Sequence, residues 1–143
     1  MAEQKPRRCY LDANVLIAAW RGDELSRAWA RTVLDDPQRR LVVSNFVRLE
    51  VLPKPGFYKR SSELAFMLAI LDSAEDVPVN LDLIQSALAL AARYDLSPLD
   101  ALHLAAAAQA DVDELLTLER PEKPICRQTE VPVISLYALA QQS

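Results

Sequence analysis

Cys9-Tyr10-Leu11-Asp12-Ala13-Asn14-Val15-Leu16-Ile17 sets a carboxylate and an amide inside an apolar run near the start of the chain. The residues before Asp12 suit a short buried strand, and Val15, Leu16, Ala18 and Ala19 follow at helical spacing. Asp12 therefore stands at a strand-to-helix switch, where open α/β sheets keep their ligands. An ionised Asp among apolar residues is costly unless it is paired or binds something. Asp is also among the best helix N-caps. On this stretch alone the two readings weigh equally.

Outward from it, strands and helices alternate. Residues 8–11 read as a strand and 13–20 as a helix broken by Gly22, after which Asp23 and Glu24 open a second helix ending near Asp36 and Pro37. The run 40–44 (Arg-Leu-Val-Val-Ser) is apolar enough for the centre of a parallel sheet. Residues 45–52 turn helical, and Pro53 and Pro55 are expected to stop that helix. Residues 54–60 read as loop, 61–74 as a helix, 77–79 as a third strand and 81–94 as a long Ala/Leu-rich helix. Ser97-Pro98 supplies a cap and a first-turn proline for a helix to about residue 110. Strands over 114–118 and 131–136 and a short terminal helix complete the chain. The alternation predicts an α/β fold with a parallel sheet of about five strands. With no repeat or linker in view, residues 1–143 are expected to form one domain.

Composition removes several functions. Two glycines, Gly22 and Gly56, leave no Gly-rich phosphate loop. Cys9 and Cys126 have neither a metal-ligand spacing nor a partner framework for disulfides. A single histidine, His103, rules out two-histidine acid–base catalysis within one chain, and there is no Gly-x-Ser-x-Gly elbow for a serine nucleophile. No apolar run is long enough to span a bilayer and no secretory signal pattern opens the chain, so a reduced cytoplasmic setting and no membrane partner are expected. The net charge of −4 argues against a broad nucleic-acid surface, because non-specific phosphate binding rests on Lys and Arg. It leaves room for an enzyme that meets phosphates through bound cations.

Carboxylate is the polar resource in quantity. Of twenty Asp and Glu, three stand in apolar surroundings: Asp12, Glu50 and Asp100. Each has a structural alternative. Glu50 could pair with Lys54 one turn on, and Ser97-x-x-Asp100 also reads as a capping box. Asp72, near a helix end, is expected to be solvated. A fourth acid, Glu119, follows the strand over 114–118. If the strands are parallel, Asp12, Ser44 and Glu119 share one sheet edge, and carboxylates crowded there repel one another unless a cation joins them. Hard divalent ions such as Mg2+ or Mn2+ suit oxygen ligands. His103, one turn after Asp100, is expected as a buried, hydrogen-bonded residue, with a metal-ligand role as the alternative. Trp20 and Trp29 suit core or interface anchors. Arg48, Lys54, Lys59 and Arg60 on one side, and Arg120, Lys123 and Arg127 on the other, suit either ordinary surface or a local basic rim for an RNA backbone.

Tyr-Leu-Asp12-Ala-Asn14-Val-Leu-Ile, the Arg-Leu-Glu50-Val helix after Leu-Val-Val-Ser44, and Leu-Ser97-Pro-Leu-Asp100-Ala-Leu-His-Leu-Ala resemble PIN-domain proteins. Many of these are ribonuclease toxins of type II toxin–antitoxin pairs, the VapC-like group. The resemblance covers nearly the whole chain. It implies a three-layer α/β/α fold with a central parallel sheet and an acidic pocket for Mg2+ or Mn2+. It further implies endonucleolytic cleavage of RNA by metal-activated water, leaving 5′-phosphate and 3′-hydroxyl ends, with a small antitoxin protein as inhibitor and a homodimer as the assembly. By position, Asp12, Glu50 and Asp100 become the metal-binding acids, and Asn14 and Ser44 the groups that orient them. The family's fourth acid is usually an Asp in a Thr-x-Asp/Asn pattern; here Thr117-Leu118-Glu119 stands there, so Glu119 takes that place with one methylene more and Thr117 supports it. Ala13 replaces a usual Thr or Ser, and Pro121, Lys123 and Pro124 stiffen the loop beyond. From another class, the rival is a PIN-fold module that holds RNA or protein without cutting. A hydrolase of small phosphate esters ranks last, for want of a phosphate cradle.

Overall fold

The computed structural model describes residues 5–142. Its strands are β1 (Arg7–Leu11), β2 (Arg39–Ser44), β3 (Glu75–Val77), β4 (Glu114–Thr117) and β5 (Val133–Ser135). They form one sheet in the order β3-β2-β1-β4-β5, and every pairing is parallel. The helices are α1 (Ala13–Arg21), α2 (Glu24–Leu34), α3 (Asn45–Val51), α4 (Pro53–Phe57), α5 (Ser61–Ser73), α6 (Leu81–Tyr94), α7 (Pro98–Gln109), α8 (Pro124–Arg127) and α9 (Leu136–Gln141). α1, α2 and α9 pack together as one layer, α6 and α7 as another, and α3 touches both α1 and α7. The expected α/β/α sandwich is present.

β1 and β4 carry the centre of the core: Tyr10, Leu11, Leu115 and Leu116 are fully buried. Burying a side chain of this size stabilises the fold by about 1.5–3 kcal/mol. β1 lies between β2 and β4, so the chain leaves it toward one side of the sheet and returns on the other. At such a switch point the strands' carboxyl ends open a crevice. Leu11 pairs with Leu116, and the Asp12 amide extends that ladder by donating to the Leu116 carbonyl at 3.0 Å. Asp12 thus begins where the central strand ends.

Four local expectations change. Residues 54–60 are not all loop: Pro53 starts α4, because a proline in a helix's first turn removes an amide that has no partner there anyway. The third strand covers Glu75–Val77 rather than 77–79, since Pro78 has no amide to donate to a ladder. Its charged start is stabilised by Arg8 and Arg40, both bonded to Glu75 across the sheet. β5 is shorter than residues 131–136, and the loop after β4 contains α8. Asp72 is exposed, as expected.

Gly22 ends α1 under a steric constraint. A Cβ at this position would lie 2.6 Å from the Ala18 carbonyl oxygen and 3.0 Å from Ala18 Cα. Both are backbone atoms, so the α1–α2 corner must shift to accept any side chain. Gly22→Ala is expected to destabilise the protein by about 1–3 kcal/mol, the usual range for overpacking, measurable as a lower midpoint in urea.

Candidate active site

Asp12 occupies the N-cap position of α1 but makes no side-chain cap bond. Its carboxylate turns to β4 instead, where Thr117 donates its hydroxyl to Asp12 Oδ2 at 2.8 Å. That hydroxyl is fully used, because it also accepts from Asn14 Nδ2 at 3.3 Å and from the Glu119 amide at 3.1 Å. Asn14 Oδ1 accepts the Leu118 amide at 3.0 Å. Asn14 and Thr117 together therefore fix the start of the loop carrying Glu119 and aim Asp12 outward.

From the other side come β2, α3 and α7. Ser44 caps α3 by accepting the Phe46 amide at 3.2 Å. Three side chains then form a buried line: Ser44 Oγ lies 2.7 Å from the Tyr10 hydroxyl, and that hydroxyl lies 2.8 Å from His103 Nδ1. His103 Nε2 is 2.6 Å from Glu50 Oε2 and 4.0 Å from Asp12 Oδ1. Glu50 is thus held by His103, which answers the alternative of a local pair with Lys54. His103 is 2 % exposed, Asp12 7 %, and the Glu50 side chain 28 %. The burial is graded from floor to mouth.

Among the described residues, ligand atoms of Asp12, Glu50 and His103 all lie within 4.8 Å of one another. Asp100 and Glu119 stand outside that set, though both are partly buried on the same edge. Asp100 sits in the first turn of α7, its amide donating to Ser97 Oγ at 3.4 Å. The pattern of charges shows how close the acids are. Burial holds the Asp12 carboxyl above its ordinary range; His103 and the Thr117 bond oppose this, while Asp100 and Glu50 add to it. Cys126, partly buried beside the Glu119 carbonyl, has its thiol pushed up to about 11, first by burial and then by Glu119, Asp12, Asp100 and Glu122. The fields of three site acids converge on that one sulfur.

A buried carboxylate, a partly exposed one and a buried imidazole suit a divalent cation by their chemistry, and the cost of an ionised Asp12 in this position is what such a cation would offset. Ser44 does not reach a carboxylate as expected. It acts through two intermediate side chains, Tyr10 and His103. Tyr10 was not a sequence candidate, although its alternation within the buried strand places it next to Asp12 on the inward side. Beside Glu50 opens a cleft of about 370 Å³ whose walls include Arg21, Lys54 and Arg60. Arg48 is spent on Asp76 at 2.6 Å. Lys54, Arg60, Arg120, Lys123 and Arg127 are exposed.

The PIN domain family profile matches residues 9–120, which hold Asp12, Asn14, Ser44, Glu50, Asp100, His103, Thr117 and Glu119. The chain belongs to the PIN-domain family. Solved structures agree in fold with this PIN domain. One is a chain of a toxin–antitoxin complex from Klebsiella pneumoniae, 22% identical, with a TM-score of 0.68 over 90% of this chain and 98% of that one. A chain of VapBC2 from Rickettsia felis, solved with a DNA fragment of its promoter, has 13% identity and a TM-score of 0.65 over 90% and 98%. A chain of FitAcB from Neisseria gonorrhoeae has 14% identity and a TM-score of 0.60 over the same shares. No curated protein sequence gives a significant match. None of the helices among the described residues is long and apolar enough to cross a membrane.

Proposed function

We propose that this PIN domain is an Mg2+- or Mn2+-dependent endoribonuclease and the toxin of a toxin–antitoxin pair. The observation that carries the reading is the convergence of Asp12, Glu50 and His103 at the sheet's switch point, within the field of Asp100. Asp12, Glu50 and Asp100 are the residues that would hold the cation, with Glu119 at the rim. When bound, a divalent cation supplies positive charge to a phosphodiester and acidifies a water for attack on it. The chain's own part is to position. Thr117 fixes one oxygen of Asp12 and leaves the other facing Glu50 and His103. Asn14 ties the β4 loop to α1, and Lys54 and Arg60, which line the cleft beside Glu50, can meet an RNA backbone as it enters.

The toxin role is supported by the solved structures that share the fold, one of which is described as a toxin–antitoxin complex and another as VapBC2. A small antitoxin protein covering the acidic crevice and a homodimer of the PIN domain belong to the same reading. Exposed Leu81 and Leu88 on α6 suit a subunit contact. The test is incubation of purified protein with a panel of structured RNAs and matched DNAs in Mn2+, in Mg2+ and in chelator. Cutting of RNA in either ion, and in neither DNA nor chelator, is expected; cutting of DNA alone would remove the ribonuclease reading.

One observation favours the rival, a binding module: Glu119 stands outside the Asp12–Glu50–His103 set. The two readings separate at this residue. As a rim group, Glu119→Gln is expected to lower cleavage by about tenfold or less, one hydrogen bond's worth of energy. A protein that binds RNA with unchanged affinity in every ion and cuts none is the outcome the binding module requires.

A further inference from the structure

The acids alone do not account for His103. It is the sole histidine of the chain, it is almost fully buried, and its Nε2 faces two carboxylates and nothing else that bonds to it among the described contacts. We propose that His103 Nε2 is a direct ligand of the cation, making this a mixed nitrogen–oxygen site that favours a first-row transition ion such as Mn2+ over Mg2+. The proposal rests on reading this edge as a cation site.

The distances support ligation. Around an octahedral ion with bonds of about 2.1 Å, neighbouring ligand atoms lie about 3.0 Å apart and opposite ones about 4.2 Å. Nε2 lies 2.6 Å from Glu50 Oε2 and 4.0 Å from Asp12 Oδ1. Glu50, the most exposed of the three, needs to move back only a few tenths of an ångström. The ring cannot turn away. Its Nδ1 is tied to Tyr10, and the rings of Tyr10 and Phe46 flank it at centroid distances of 5.6 and 6.5 Å.

The hydroxyl line behind the ring works in both directions. With Ser44 donating to Tyr10 and Tyr10 to Nδ1, the Nε2 proton goes to Glu50. With Nδ1 donating to Tyr10 and Tyr10 to Ser44, Nε2 presents its lone pair to a cation. No net proton is gained or lost in the line, since each hydroxyl both donates and accepts. A buried partner on the far nitrogen is the usual support of a ligating histidine, fixing ring and tautomer together. Imidazole suits transition ions, whereas Mg2+ keeps to oxygen and to its own waters.

The test uses the tag-free chain, in which His103 is the one source of an imidazole nitrogen. Pulsed paramagnetic resonance of the Mn2+-loaded protein is expected to show a ¹⁴N coupling that is lost in His103→Gln. By calorimetry His103→Gln, which offers a cation only an oxygen, should weaken Mn2+ by at least about tenfold and Mg2+ by less than about threefold. Mn2+ bound to the natural chain without a nitrogen coupling overturns the proposal, whether or not the variant folds. Equal weakening of both ions overturns it as well and makes His103 a positioning residue for Glu50. If Asp12→Asn still binds both ions as the natural chain does, the cation site itself is misplaced, and the His103 assignment falls with it.

Discussion

Asp12→Asn is expected to melt a few degrees higher than the natural chain at pH 7 in chelator, yet to cleave RNA roughly a thousandfold more slowly, the factor that several kcal/mol of lost charge stabilisation produces. Both effects come from one buried carboxylate. Burial raises its pKa, with Asp100 and Glu50 adding to the shift and His103 and Thr117 only partly offsetting it. The folded protein therefore holds this proton more tightly than the unfolded chain does. Stability contributed by the group is present at low pH and falls as pH rises above the ordinary Asp value of 3.8 and through the raised folded value. At neutral pH the ionised side chain is a net cost. Asn removes that cost, keeps an oxygen for the Thr117 hydroxyl, and gives up the charge a cation needs. The stability gain should shrink toward zero at pH values below 3.8, where the carboxyl is protonated in both states. Melting curves from pH 3 to pH 8 in chelator read this directly. Added Mn2+ should raise the melting point of the natural chain and leave that of Asp12→Asn unchanged.

The second large effect lies at the opposite edge of the sheet. Glu114, at the start of β4, has a side chain 2% exposed and is paired with Arg39 on β2. Arg7 adds a longer contact at 3.7 Å, and the Cys9 thiol donates to Glu114 Oε1 at 3.3 Å. Arg7 is mostly exposed, so its field is screened and Arg39 carries the pair. Arg39→Ala strands a buried carboxylate. Removing one partner of a buried ion pair costs about 3–5 kcal/mol, and the exposed Arg7 recovers a part of that. A loss of about 3 kcal/mol and a fall in melting temperature of roughly ten degrees are expected at pH 7. Arg39→Ala with Glu114→Gln should recover much of the loss, because no buried charge is then left. Cleavage per folded molecule should be unchanged in both, since these groups and the acidic crevice sit at opposite ends of the strands. A variant that loses activity without losing stability would mean that the two edges are coupled through β1.

How far the sequence carries is clear from particular residues. Strand-then-acid at Asp12 and at Glu119, and Ser97-Pro98 ahead of Asp100, placed the acids on one edge, because parallel strands share their carboxyl ends. The family followed from the same residues. Side-chain reach did not follow. Glu50 and His103 lie 53 positions apart and touch because α3 and α7 pack together, which no local pattern encodes. His103 was expected as a buried, hydrogen-bonded residue and is one; that its partner would be a site acid came only with the fold. Ser44 was expected against the acids, but the Tyr10 hydroxyl stands between. Two differences in element bounds turn on proline: Pro53, expected only to stop a helix, starts α4, and Pro78, expected inside the third strand, follows its end.

The most direct measurement of the central claim is the chemistry of the ends left when end-labelled RNA is cut by the natural chain and by Asp12→Asn, each in Mn2+ and in chelator. The expected result is cleavage by the natural chain in Mn2+ alone, leaving 5′-phosphate and 3′-hydroxyl ends, as attack by water at a cation site built on Asp12, Glu50 and Asp100 requires. Cleavage that survives chelator or Asp12→Asn, or that leaves a 2′,3′-cyclic phosphate, would contradict it.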